Sequence, residues 1–190
     1  LSAPIDSVLN GLDTLFNFIP FPIVILIFMA FAFKTNGTLW SWGSSSYGVL
    51  GLNQGPGKNR SSPTQIGTAT DWDVDAVSQC GGNQAAGAIK TDGTLWVWGW
   101  NQSGDLGLND RTYRSSPVQV PGTTWAQLSM ASGGGLATKT NGTLWVWGNG
   151  NVGQLSQNNL TKYSSPVQIP GTTWSTDAGA VQVGTTSGAA

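Results

Sequence analysis

Three stretches of the chain alternate their side chains with period two. In Thr94-Leu95-Trp96-Val97-Trp98-Gly99, Trp96 and Trp98 fall on one face and Leu95 and Val97 on the other; the pattern recurs with Trp40 and Trp42 and with Trp145 and Trp147. Such alternation of aromatic and β-branched residues predicts a strand, and apolar groups on both faces place it inside a stack of sheets. Just upstream, Asn36-Gly37, Asp92-Gly93 and Asn141-Gly142 supply the dipeptide that tolerates a type I′ turn. Short apolar runs precede those turns: Phe31-Ala32-Phe33, Ala88-Ile89 and Leu136-Ala137. Each stretch therefore reads as a tight hairpin whose second strand carries two tryptophans.

The hairpin is one part of a longer repeat. Gly43, Gly99 and Gly148 end the second strands, and loops rich in Gly, Ser and Asn follow, each with a Gly-x-Leu element. The prolines of Ser61-Ser62-Pro63, Ser115-Ser116-Pro117 and Ser164-Ser165-Pro166 then open short strands, at a position where a missing N–H costs little. Pro-Gly-Thr-Thr-Trp leads into a fourth strand at Trp125 and Trp174, and Trp72 matches them. The copies are offset by 56 and 49 residues at Lys34, Lys90 and Lys139. Three or four short strands per ~50 residues is the profile of a propeller blade. The expected fold is all-β, with three propeller-type units at about 30–80, 81–130 and 131–183. Val181-Gln182-Val183 begin another unit. Three units fall short of the roughly 4–8 blades of a closed ring, so the expectation is a partial or open propeller, capped by something else or continued in a longer chain.

The first thirty-three residues obey other rules. Ile5, Val8, Leu9, Leu12, Leu15, Phe16 and Ile19 follow helical spacing, and Pro4 and Pro20 bracket the run. A short amphipathic helix from Pro4 to about Phe18 is predicted, within a docking segment at 1–22 that precedes the repeats at 23–190. From Phe21 to Phe33 no side chain is polar. The fifteen residues from Ile19 are short of the ~20 that span a bilayer, and membrane association is the lesser alternative to a buried strand or an assembly contact. Leu12, Phe16, Ile25 and Ile27 are the expected docking residues.

Composition narrows the chemistry. Only 9% of residues are charged, the net charge is −1, and no basic run occurs; a polyanion-binding surface is not expected, and nucleic acid is not an expected partner. Among 190 residues there is no His and no Glu, and one Cys. The usual general bases, metal clusters and Cys–His pairs are missing, and Cys80 reads as a small buried hydrophobe. Ser132-Gly133-Gly134-Gly135 lacks the Lys and flanking helix of a phosphate cradle. Asp71, Asp73 and Asp75 would share one face of a strand and are the one candidate site for a hard cation, against a solvated strand with Trp72 and Val74 facing inward. The paired tryptophans read as core, while Trp100, outside the hairpin, is a candidate exposed aromatic. Lys34, Lys90 and Lys139 read as a spaced, solvated row. Asn36, Asn59, Asn101, Asn141 and Asn159 sit in Asn-x-Ser/Thr triplets, two of them generated by the turn itself.

The stretch from Gly81-Gly82 through Lys90-Thr91-Asp92-Gly93-Thr94-Leu95-Trp96-Val97-Trp98-Gly99 to Leu108 resembles the regulator of chromosome condensation repeat family, and the resemblance extends over about residues 30–183. It implies a β-propeller, usually of seven blades, serving most often as a protein-binding scaffold. Gly37, Trp40, Trp42, Gly93, Trp96, Trp98, Gly142, Trp145 and Trp147 are the structural positions of the repeat. The family commonly places a His before the first hairpin strand, where Ala85 and Gly134 stand nearby; this counts against the founding member's nucleotide-exchange and chromatin roles. The expected function is a non-enzymatic scaffold, without cofactor, that binds other protein subunits or further copies of itself. By analogy it belongs to a larger assembly such as a phage decoration, fibre or knob, on a virion surface or outside the cell. A module that recognises a glycan or receptor is the alternative, and a GTPase regulator the weaker one.

Overall fold

The structure, a computed structural model, describes residues 29–75, 79–81, 84–131 and 133–182. The expected helix, the docking residues Leu12, Phe16, Ile25 and Ile27, Ser132 and the side chain of Cys80 lie outside the described residues. Among the described residues regular structure is strand, apart from one 3-10 turn at Ser46–Gly48, and no helix is long and apolar enough to cross a membrane.

The strands form three antiparallel blades. The first holds β1 (Met29–Phe33), β2 (Leu39–Gly43) and β3 (Arg60–Gln65). After the short β4 (Gln79–Gly81), the second holds β5 (Ala85–Ile89), β6 (Leu95–Gly99) and β7 (Arg114–Gln119). The third holds β8 (Trp125–Ala131), β9 (Gly134–Lys139), β10 (Leu144–Gly148) and β11 (Tyr163–Ile169), and its sheet takes in β4 in the order β4-β8-β9-β10-β11. Trp72 bridges Lys90 just beyond β5, and β4 pairs in parallel with β8. The inner strands of neighbouring blades thus run side by side, and the blades fan outward from them.

Hairpin geometry follows from a polar relay repeated three times. The Lys90 N–H donates to the Thr94 carbonyl at 2.9 Å and the Gly93 N–H to the Lys90 carbonyl at 2.8 Å, with matching bonds at Lys34 and Lys139. Gly37, Gly93 and Gly142 have φ of 75°, 76° and 74°, but the preceding Asn36, Asp92 and Asn141 do not have positive φ. The turns are therefore type I with a glycine bulge rather than type I′. The reason lies in the Asx side chain: Asp92 Oδ1 accepts from the Thr94 N–H at 2.9 Å and from its hydroxyl at 2.6 Å, which holds the backbone in the ordinary turn. Thr94 Oγ1 in turn accepts from the Trp96 indole at 2.9 Å, and Thr38–Trp40 and Thr143–Trp145 repeat that distance.

Gly43, Gly99 and Gly148 end the Trp-bearing strands at φ of 99°, 102° and 106°, each at a register shift against the next strand. A β-bulge at this point bends the strand into the loop. A Cβ on Gly148 would lie 2.1 Å from the Gly133 carbonyl oxygen, so no other residue fits there without backbone movement.

The cores lie between blades. Leu39, Val49, Ile66, Trp72, Ala86 and Trp98 are among the buried residues that fill the first junction, and Leu95, Val97, Leu106, Trp125, Leu128 and Trp147 are among those of the second. Trp98 and Trp147 are fully buried, each worth about 1.5–3 kcal/mol in apolar area alone. Where blades two and three place Val97 and Val146, the first places Ser41, buried, whose hydroxyl donates to the Leu50 carbonyl at 2.7 Å.

Trp72, Trp125 and Trp174 each keep one bond to the hairpin before them, their N–H groups donating to the carbonyls of Gly37, Gly93 and Gly142 at 3.1, 3.0 and 3.0 Å. Trp72 and Trp125 also reach the next hairpin: Trp72 bridges Lys90, and Trp125 opens β8, which pairs with β9. A cut at 130 falls just before the end of β8, whose strand pairs with β9 of the hairpin that follows.

Candidate functional site

Two ends of the blade stack carry different chemistry. At the turn end the three lysines lie over tryptophan faces, Lys34 exposed and Lys90 and Lys139 half-buried. Lys139 Nζ lies 4.5 Å from the Trp125 ring centre and 4.7 Å from that of Trp145; Lys90 Nζ lies 5.3 and 5.0 Å from Trp72 and Trp96; Lys34 Nζ lies 3.8 Å from Trp40. A cation held over aromatic faces gains roughly 0.5–2 kcal/mol. Since Trp72 and Trp125 start the next blade's inner strand, Lys90 and Lys139 also tie consecutive strands together. The indole N–H groups of Trp72 and Trp125 are buried and have no hydrogen-bond partner.

The three candidate carboxylates do not share a strand face. Asp71 pairs with Lys90 Nζ at 3.1 Å, and Asp73 Oδ1 accepts the Asp75 N–H at 3.0 Å in a bend. Val74 is 43% exposed rather than inward-facing. Among the described residues no three His, Cys, Asp or Glu side chains converge on a point that could hold a metal ion.

At the loop end, most polar groups hold the loops themselves. Asn101 is fully buried; its amide donates to the Asp110 and Thr112 carbonyls at 3.1 Å each, and its Oδ1 accepts the Leu106 N–H at 2.9 Å. Its Asn-x-Ser triplet is structural. Asp105 is buried too, with Oδ2 accepting the Ser103 N–H at 2.8 Å; burial pushes its carboxyl above the usual range, and the Ser103 N–H only partly offsets this. Asp92, on the turn end, is held below the usual range by the Thr94 hydroxyl and N–H.

Between the first two blades the loop end breaks the repeat. Trp100 stacks on Tyr113, with ring centres 4.7 Å apart and planes at 19°. Tyr47 meets Trp100 edge-on at 4.2 Å and Tyr113 at 5.6 Å. Tyr47 adopts φ of 55°, a conformation costing a bulky residue on the order of 1 kcal/mol or more. Arg114 pairs with Asp110 at 2.5 Å beside Tyr113. At the second junction the equivalent positions hold Ser103 and Lys162, joined by a 3.3 Å hydrogen bond. Trp100 was visible in the sequence as an aromatic outside the hairpin. Tyr47 and Tyr113 are not distinguished by any motif, and the signal for them is that they depart from the aligned Ser103 and Val152, and Asn59 and Lys162.

The sequence model of the Regulator of chromosome condensation (RCC1) repeat matches residues 36–88, 92–137 and 141–185. The chain belongs to the RCC1 repeat family. Each match starts at a hairpin turn, and the first two end in the next blade's hairpin, so those sequence repeats supply strands to two blades. The Ultraviolet-B receptor UVR8 of Arabidopsis thaliana is 34% identical over 103 residues, 54% of this chain and 22% of that protein. Prp20p of Saccharomyces cerevisiae, which binds Gsp1p and histones, superposes with a TM-score of 0.66 at 18% identity, covering 76% of this chain and 36% of Prp20p. Human WBSCR16 superposes with a TM-score of 0.61 at 20% identity, covering 75% and 37%. The chain thus spans about a fifth of the curated relative and little more than a third of either solved propeller. These likenesses carry the fold and the repeat.

Proposed function

We propose that this RCC1-repeat chain is a non-enzymatic scaffold that binds a protein partner through its loop end, at Tyr47, Trp100 and Tyr113. The observation that carries the reading is the departure from the repeat. Positions filled by small or polar residues at one junction are filled by three packed aromatics at the other, and Tyr113 remains 42% exposed. Half-exposed aromatics beside an ordered Arg are the usual anchors of protein interfaces. Prp20p supports the class of partner, being itself a binder of proteins. In the finer form of the proposal the scaffold is part of a larger assembly such as a virion decoration, fibre or knob, outside the cell. The near-neutral surface rich in Ser, Thr and Asn supports that setting.

A second reading takes the same aromatics as a stacking platform for a glycan, favoured by the exposed Tyr113 ring. The test is quantitative affinity capture with the wild-type chain and a Trp100→Ala/Tyr113→Ala variant as paired baits, alongside a glycan array. Protein partners lost selectively on the variant are expected. Equal recovery on both baits, or saturable glycan binding without a protein partner, would replace the reading.

A further inference from the structure

Lys90 and Lys139 hold the same place in consecutive hairpins and differ in what neutralises them. Each ammonium lies over two tryptophan rings. Lys90 also has a carboxylate, its Nζ pairing with Asp71 at 3.1 Å. Thr124 stands where Asp71 stands, as matching backbone bonds show: the Thr91 N–H donates to the Asp71 carbonyl at 2.9 Å, and the Thr140 N–H to the Thr124 carbonyl at 2.8 Å. Thr124 has φ of 70°, an outlier for a β-branched residue, and its hydroxyl turns back to the Thr123 carbonyl rather than to Lys139. Among the described residues Lys139 Nζ has neither an ion pair nor a hydrogen bond.

This half-buried cation lines a cavity of about 450 Å³ between the second and third blades, walled also by Trp125, Trp145, Pro121 and Pro166. A Cβ added at Gly122 would come 3.6 Å from Lys139 Nζ and 4.0 Å from Trp125 Nε1, so the ammonium and the indole nitrogen flank one spot beside Pro121. That indole N–H is buried and unpartnered, a donor that lacks its acceptor. Trp72 repeats the unpartnered indole at the first junction; the lysine without a carboxylate is what sets the second junction apart from it.

The remaining walls suit a ring better than a bare anion. Trp145 and the two prolines present flat apolar faces, and sites of roughly 300–1,000 Å³ that combine such walls with a few placed polar groups take small ligands. The polar groups here are Ser165 and Asn109, which also line the cavity. The Ser165 hydroxyl donates to Asn109 Oδ1 at 3.1 Å, which leaves the Asn109 amide to donate and the Ser165 oxygen to accept.

We propose that this cavity binds a sugar acid, a pyranose ring carrying one carboxylate. The carboxylate takes at Lys139 the place that Asp71 takes at Lys90, as a charge-assisted pair. The ring lies on Trp145, and its hydroxyls meet Asn109 and Ser165. The inference does not depend on the loop-end aromatics.

The test is NMR titration of the full 190-residue chain, 15N-labelled, with sodium glucuronate, glucose, sodium acetate and acetyl-glutamate amide at constant ionic strength. The indole cross-peaks of Trp125 and Trp145 are followed. Glucuronate should shift both, with a dissociation constant of about 1 mM, and the other three should bind at least about tenfold more weakly. Lys139→Met should weaken glucuronate binding by about tenfold or more with unchanged circular dichroism. Lys90→Met, whose cation Asp71 already holds, should leave it unchanged. The comparison among ligands on the unmodified chain decides the matter even where a variant unfolds. No shift with glucuronate at tens of millimolar would overturn the proposal. So would glucose or acetate binding as tightly as glucuronate, since carboxylate or ring would then go unread. Tighter binding of acetyl-glutamate amide would make the site one for an acidic side chain instead, and equal losses on Lys90→Met and Lys139→Met would remove the site from this cavity.

Discussion

The hydrogen bond that each blade's second tryptophan sends into the previous blade can be weighed by one paired substitution. Trp147 and Trp125 belong to the same core, are 0% and 3% exposed, and meet edge-on with ring centres 6.3 Å apart. Replacing either by Phe removes the same volume, at about 1–2 kcal/mol in apolar burial. They differ in the indole N–H. Trp147→Phe removes the donor to the Asp105 carbonyl and leaves that carbonyl orphaned between blades, at about 1–3 kcal/mol. Trp125→Phe removes an N–H that is buried without a partner, and keeps an aromatic face for Lys139. Trp147→Phe should therefore be the costlier by about 1–3 kcal/mol, or about 2–12 °C in melting temperature at 2–4 °C per kcal/mol. Denaturant titrations of the two variants, compared at equal m-value, give the difference directly. Equal costs, or a larger cost for Trp125→Phe, would refute the view that this bond joins the blades.

Three further substitutions bear on the loops and turns. Asp105→Asn keeps an acceptor for Ser103 but removes a buried charge; because burial raises the Asp105 carboxyl, the variant should melt higher at pH 7, and the gap should close as pH falls through the carboxylate range. Asp92 is shifted the other way by Thr94, so its contribution is present above the usual carboxylate value of 3.8 and is lost as pH falls through its lower folded value; Asp92→Asn, the residue type of Asn36 and Asn141, should leave melting at pH 7 within about 0.5 kcal/mol and flatten that acid limb in a pH series of thermal melts. Gly148→Ala places a Cβ 2.1 Å from a backbone oxygen at φ of 106° and should cost roughly 3 kcal/mol or more, measured by urea unfolding.

Much of the fold was legible because local and tertiary preferences agree. Trp96 and Trp98 alternate with Leu95 and Val97, and the structure buries Leu95, Val97 and Trp98 and half-buries Trp96. The hairpins and the strand-ending glycines follow from the same local rules, but the prolines do not open their strands: Pro63, Pro117 and Pro166 each stand fourth in β3, β7 and β11, outermost strands where a missing N–H breaks no ladder bond. The turn type was not legible, because Asn-Gly and Asp-Gly serve more than one turn and the Thr two residues after the Asx selects between them. Blade boundaries were obscured for a topological reason: Trp125 donates back to Gly93 of its own repeat, while the strand it opens pairs with β9 of the next. The lysines misled through charge, since Lys90 and Lys139 lie each between two tryptophans from different strands. Of the loop-end aromatics only Trp100 stood out; Tyr47 and Tyr113 gain meaning only once Ser103 and Lys162 are seen to occupy the same places at the next junction.

The stacked-blade arrangement is tested most directly by hydrogen exchange at the ten tryptophan indoles, resolved by NMR in 15N-labelled chain. The indole protons of Trp98 and Trp147, bonded across blade junctions at 2.7 and 2.9 Å, should exchange only on sub-global opening and be the slowest of the set, while that of Trp174, 42% exposed, should be among the fastest. Exchange of Trp98 and Trp147 as fast as Trp174 in folded protein would show that the hairpins do not stack as consecutive blades.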